Sequence, residues 1–477
     1  MFEREKIFNR IIQRVNINLR DLNFDVSPFV TGHADLRQMS RFYAFYGVTT
    51  DIPLNLQFIH SSLAGSYFLG KCQVKNAMLY KTDIRGDELK RKGSTFQFKN
   101  FSIDLRQDEF IDIVSSALVK TLVHNFSHDP ESPERFFIKN TLSLDYANIH
   151  GAPADGCFLS PFATVDLTTM RNCAIGAYSY IQAGRISHLN VQPGTIWVNS
   201  PGTFNFLYQF PQDRLQHYIK QEAGGKPEGA LIDFIEKRAQ AFDKVFDTAI
   251  TSPPIPVPET ASLDRYAVVL SETTIDENVL VAQRAYLENC TMGIGANAQE
   301  NCYIINSNLQ GNNVMAHGAK VVETEMEKNI FVGFNSFLVG KPGCRITIGT
   351  GCIVMPHTII DCSEPLEIPP DTLLWGLITN KQELEENSIP LEELRVVHHS
   401  IQRGNMHFEG EGGAFVEGFK HRINHILESN GAFYHQHNNN IKGHAQNNRK
   451  LSLNNIQPYL FGEMEGVYPD ITIQPQG

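Results

Sequence analysis

The chain has 477 residues, and 52 Asp+Glu against 41 Lys+Arg give a formal net charge of −11, which argues against a general nucleic-acid binder because composition demands no basic face. That length suffices for two or three core-forming units. The start MFEREKIFNRIIQRVN is charged from its third residue and lacks an apolar core, unlike a signal peptide, and no stretch reaches the roughly 18 apolar residues of a membrane span, so a soluble cytoplasmic protein without a membrane partner is expected.

Residues 1–57 read as an N-terminal helical flank, with an amphipathic start at Phe8, Ile11, Ile12 and Val15 and a second helix around 35–46. From Leu63 a weak repeat appears, with Leu63, Leu69, Val74, Leu79 and Ile84 stepping by six, five, five and five. EFIDIVSSALVKTLVHNF (109–126) has helical periodicity, which predicts a helical insertion near 107–127 within a first repeat block at 58–205. Repeats resume at Leu159 with a period of sixteen, in the columns Leu159, Ile175, Val191; Ala163, Ser179, Thr195; and Val165, Ile181, Trp197. A helical excursion at 206–262 follows, with helical patterns at 212–222 and 230–248 and an extended return through SPPIPVPE. It is either a functional insertion or a helical hairpin packed on the solenoid wall.

The second block, 263–378, is the regular one. Its residues stack in lines of seventeen, with columns Ile275, Met292, Leu309, Met326; Val281, Ala298, Met315, Val332; and Leu287, Ile304, Val321, Leu338. A further column holds only small residues, Ala285, Cys302, Ala319 and Ser336. Apolar residues recurring at steps of six, six and five match neither the 3.6 of a helix nor the 2 of a free strand. They describe a coil with three short sides, one large and one small residue per side pointing into a narrow triangular interior. After a short insertion the pattern continues through Ile348, Val354 and Ile360, with Cys352 and Thr358 as small inward partners. The eight cysteines show no paired spacing; Cys173, Cys290, Cys302 and Cys352 fall at or beside inward columns and read as small buried hydrophobes in a reducing compartment. Residues 379–477 read as C-terminal helices (380–404 and 416–430) and a polar, flexible tail beginning at 435–450.

These repeats resemble the hexapeptide-repeat superfamily, and LEIPPDTLLWG (366–376) is similar to the I-P-P-x-[ST]-hydrophobic-hydrophobic-x-G phrase that closes the last coil of many of its transferases. The resemblance implies a mainly β fold, a left-handed parallel β-helix, here with helical insertions and a helical C-terminal segment. CoA-dependent acyltransferases, γ-type carbonic anhydrases and domains appended to sugar nucleotidyltransferases share it, so the fold alone selects no chemistry. The resemblance further implies a homotrimer with sites in grooves between subunits. The activity it suggests moves an acyl group from acyl-CoA, the cosubstrate, to a hydroxyl or amine of a sugar-like or small metabolite, with one histidine as general base.

His317 in NNVMAHGAKV is the first candidate for that base: it follows the inward Met315 by two and precedes Gly318. Its column also holds Gln283, Glu300 and Phe334 and reads as exposed, so the fold does not require a histidine there; the plain alternative is a surface or subunit-contact residue. His188, equivalently placed after Ile186, and His357, after Pro356 at a corner, are the other candidates. Glu300, one coil below His317, is the carboxylate expected to orient the imidazole, with Glu323 and Glu325 also in range. No residue is assigned to cofactor binding. No metal is expected, because the H-x4-H pair of the γ-carbonic anhydrases is missing; a metalloprotein of that type, with His188, His317 and His357 converging across an interface, is the alternative. His421 and His425 lie one helical turn apart without the glutamate of H-E-x-x-H and read as a solvated face. Residues 1–150 lack a glycine-rich phosphate loop, which removes the nucleotidyltransferase reading. A non-catalytic structural or assembly protein remains the competing class, given two blocks of different period and a polar tail.

Overall fold

The structure is a computed structural model that describes residues 3–30, 36–39, 43–48, 55–90, 92–98, 101–126, 136–247, 253–435, 442–456 and 471–473. The chain forms two compact units, one of Met1–Thr195, Ile219–Glu228 and Leu451–Gly477, the other of Ile196–Tyr218 and Gly229–Lys450.

In the second unit the seventeen-residue columns are physical rows. Ile275, Met292, Leu309, Met326, Ile348 and Ile368 are successive partners in one parallel sheet. Val281, Ala298, Met315, Val332, Val354 and Leu374 line a second, and Leu287, Ile304, Val321, Leu338, Ile360 and Ile378 a third. These side chains form one continuous buried core, so each coil is stable only against its neighbours. Corners take the left-handed conformation, which asparagine tolerates better than most residues: Asn301, Asn312, Asn329 and Asn335 all have φ between 50° and 60°. Asn289 and Asn306 extend this into a side-chain ladder, Asn289 Nδ2 donating to Asn306 Oδ1 at 3.0 Å and Asn306 Nδ2 to Glu323 Oε1 at 2.8 Å.

Because Ile304 is wholly buried between Leu287 and Val321, Ile304→Ala should lower unfolding free energy by about 2–5 kcal/mol in urea denaturation. Ile294→Ala, at a side chain 55% exposed, should stay within about 0.5 kcal/mol of the parent.

The solenoid is closed at its C-terminal end by Ser388–Pro390, which pairs antiparallel with Thr372–Leu374. Trp375 of the closing phrase is fully buried and meets Phe206 edge-on. Phe206 stacks on Phe415 of the helix Gly412–Ser429. The excursion forms helices Gln212–Tyr218, Ala230–Glu236 and Ala239–Asp247; the last two pack on the wall, Phe234 against Tyr303 and Phe337 and Phe242 against Tyr286 and Tyr303.

The first unit is a second three-sided parallel solenoid. The sixteen-residue columns are again in register: Leu159, Ile175 and Val191 are sheet partners, as are Val165 and Ile181. The N-terminal helix Glu3–Leu19 covers one face, burying Phe8, Ile11, Val15 and Leu19 against Met78, Ala117, Leu142 and Phe158.

Four expectations are corrected. The stretch read as a helical insertion near 107–127 is three strands, Ile111–Val114, Ala117–Val119 and Leu122–Phe126. Its buried Ile113, Leu118 and Val123 step by five, its β-branched residues favour strand, and its corners are Ser115 and Lys120 at φ 47° and 46°, which give no glycine or asparagine punctuation. Of the helix expected around 35–46, Leu36–Met39 is helical and Ala44–Val48 is a strand; residues 35 and 40–42 lie outside the described ones. Of the C-terminal segment 380–404, only Lys381–Glu386 and Leu391–Arg395 are helical, and Ser400–Arg403 forms a hairpin with Met406–Gly410. Part of the tail read as flexible is folded: His444–Asn447 is a helix, and the buried Gln446 donates to Thr260 O at 2.7 Å. Residues 436–441 lie outside the described ones. The last strands, Ser452–Ile456 and Ile471–Ile473, pair antiparallel with Ala44–Val48 and Asn55–Ile59.

Candidate functional site

His317 follows the strand Val314–Met315 and precedes the corner at Gly318. Gly318 has φ +74°, and a Cβ there would meet Asn335 Oδ1 at 2.3 Å, so the backbone leaving the histidine is fixed by a residue without a side chain. His317 Nδ1 lies 2.6 Å from Glu300 Oε2, one coil below. Phe334, one coil above, has its ring 5.3 Å from the imidazole, and the Arg422 guanidinium of the helix Gly412–Ser429 lies 6.0 Å from the Phe334 ring centroid.

The column expected to be exposed is buried: Gln283, Glu300, His317 and Phe334 are each at most 3% accessible. Outward orientation from a solenoid means solvent only where nothing lies over the face. A buried carboxylate this close to an imidazole favours the protonated ring over the neutral one, which is the electrostatic support a general base needs.

The other candidates have contacts of their own. His188 belongs to the first unit, where it is exposed at a corner with φ 51°, 3.1 Å from Asn172 Nδ2 and 2.7 Å from Ser187 Oγ. His357 occupies the corner stacked beyond Gly318 and Asn335, at φ 61°, fully buried, its N–H donating to Phe334 O at 2.7 Å. Glu323 and Glu325 engage Arg345, at 3.9 and 2.8 Å. His421 and His425 are both exposed.

Lys320, which the sequence reading passed over, completes the local chemistry. It projects from the strand Lys320–Val322 between Tyr303 and Phe337, and Nζ donates to Gly318 O at 2.5 Å. Burial in this aromatic setting pushes its pKa down to about 7. The signal was the alternation around inward Val321, which puts Lys320 on the wall that the helical excursion covers.

All eight cysteines are unpaired thiols. Burial pushes Cys290, Cys302 and Cys352 up to about 12, which fits the inert reading. Cys173 departs from it: its interaction with Cys157 one coil away brings it down to about 7.

Stacked three-residue sides, corner asparagines and a sealing phrase around Trp375 define a parallel β-helix of the hexapeptide-repeat class, bearing a buried histidine–carboxylate pair. The chain belongs to the hexapeptide-repeat family: residues 101–223 match the family described as hexapeptide repeat including loop. It is 49% identical to a "putative acetyltransferase" from Desulfovibrio desulfuricans G20 known from a crystal structure at 2.28 Å, with a TM-score of 0.89 and 99% of each chain covered. A Bacillus cereus structure also named a "putative acetyltransferase" matches 35% of this chain and 87% of its own, at 13% identity and a TM-score of 0.18, which carries no argument. No curated protein matches significantly in sequence. Among the described residues no helix is long and apolar enough to cross a membrane.

Proposed function

We propose that this protein is an acyltransferase that moves an acyl group from a CoA thioester to a hydroxyl or amine of a sugar-like or small metabolite. The observation that carries the reading is the His317–Glu300 contact at 2.6 Å in a chain 49% identical, over 99% of its length, to the protein named a "putative acetyltransferase". His317 Nε2 takes the proton from the acceptor O–H or N–H as that atom attacks the thioester carbonyl. Glu300 stabilises the imidazolium so formed, and backbone N–H groups at coil corners face the developing oxyanion. Collapse of the tetrahedral intermediate breaks the C–S bond, and the imidazolium returns the proton to the departing CoA thiolate. The working form is a homotrimer, the expectation for this family, and eight free cysteines suit a reducing, cytoplasmic setting.

The burial of His317 favours a second reading, in which the pair is a structural element of a non-catalytic assembly protein. Acetyl-CoA with a panel of sugar and amine acceptors, followed by thiol-trapping of released CoA, separates the two. Acceptor-dependent CoA release supports the transferase; its absence across the panel, together with no thermal shift by acetyl-CoA, supports the assembly protein.

A further inference from the structure

The first unit carries a polar cluster that the acyl-transfer reading leaves unused. On one face, Arg85, His124, His150 and Asp166 are successive partners on the neighbouring strands Asp83–Glu88, Leu122–Phe126, Asn148–His150 and Thr164–Asp166. Both histidines are over nine-tenths buried and Asp166 is wholly so. The imidazoles meet edge to face, ring centroids 4.9 Å apart and planes at 78°, and a ring nitrogen of one lies within 4.8 Å of a ring nitrogen of the other. A carboxylate contacts each ring: His150 Nδ1 is 2.8 Å from Asp166 Oδ1, and His124 Nε2 is 3.2 Å from Glu88 Oε1. These carboxylates are themselves held, Asp166 Oδ2 by the Tyr180 hydroxyl at 2.5 Å and Glu88 by Arg85 at 3.8 Å.

Two buried imidazoles stacked face to edge are a costly choice for a solenoid wall, where an apolar pair would pack without desolvating ring nitrogens. A carboxylate on one nitrogen fixes the tautomer and raises the basicity of the other, which is the support that metal-ligating histidines characteristically receive. Bonds of about 2.0–2.1 Å to one ion place two imidazole nitrogens roughly 3.3–3.5 Å apart, within reach of this pair by small ring rotations. We propose that His124 and His150 bind a borderline divalent transition ion such as zinc, with Asp166 as a positioning residue for His150 and Glu88 for His124. Nitrogen donors with carboxylate support favour such ions over magnesium or calcium, which prefer all-oxygen sites. This departs from the expectation that the protein binds no metal.

The probe is Co²⁺ alone, added to the full-length, tag-free protein after chelator treatment, and read by its visible d–d absorption; Zn²⁺ then competes. The expected result is one equivalent bound and displaced by Zn²⁺, with binding lost in both His124→Ala and His150→Ala. Asp166→Asn should fold, checked by circular dichroism, and bind about 10- to 100-fold more weakly. A His421→Ala/His425→Ala double variant should bind as the parent does. No band in the parent, a band kept by His150→Ala, unchanged affinity in Asp166→Asn, or a band lost in the His421/His425 double variant would each overturn the proposal. The Asp166→Asn affinity decides the matter if the histidine variants do not fold.

Discussion

His317→Gln is expected to lower kcat for acyl transfer by about 10²- to 10⁴-fold, the range a positioned general base supplies, while leaving KM for acetyl-CoA within a few-fold of the parent. Glutamine is the informative replacement because its amide can still donate to Glu300 but cannot take up the acceptor's proton. His317→Ala would confound the measurement: a buried carboxylate that loses its partner costs about 3–5 kcal/mol of stability, and Glu300 is fully buried. The carboxylate is probed separately by Glu300→Gln, which should reduce kcat by a smaller factor. Steady-state CoA release alongside thermal unfolding of each variant provides the check. A His317→Gln protein with parental kcat would remove the histidine from the chemistry.

Lys320→Met should make the protein more stable at neutral pH by about 1–4 kcal/mol, the range found when buried charged groups are replaced by apolar ones of similar volume. The lysine's folded pKa is about 7 against an ordinary 10.5. Between those values the unfolded chain holds a proton that the folded chain has released, so parental stability rises with pH across this window. Below about pH 7 the penalty is present in full, of the order of 4–5 kcal/mol at 1.36 kcal/mol per pH unit, partly offset by the bond from Nζ to Gly318 O. The variant's advantage should therefore be largest at pH 6 and shrink steadily toward pH 10. Urea denaturation of parent and variant at pH 6, 7.5 and 9 tests this, and an advantage independent of pH would contradict the buried-amine account.

The rows of the second solenoid were legible because Ile275, Met292, Leu309 and Met326 lie seventeen residues apart and share one register. In the first solenoid the signal was diluted where sides of five residues met corners such as Ser115 and Lys120, and apolar residues on both faces of short strands imitated a helical stripe at 109–126. The same ruler, laid one coil further back, reaches the polar cluster: His150 and Asp166 are sixteen apart, as are Asn148 and Thr164. Pairing His317 with Glu300 followed from stacking alone. Their burial did not, because a repeat pattern states which way a side chain points and not what lies over it. The helices at 230–247 had a visible apolar stripe, yet only packing reveals that it seats on Tyr286, Tyr303 and Phe337.

The most direct test of the central claim is a crystal structure with CoA and an acceptor or its inert analogue bound. The CoA sulfur and the acceptor heteroatom should lie beside His317, with the heteroatom about 2.6–3.2 Å from Nε2 or one water away and Glu300 still beside Nδ1. CoA bound at a site remote from His317, with that histidine still sealed, would contradict it.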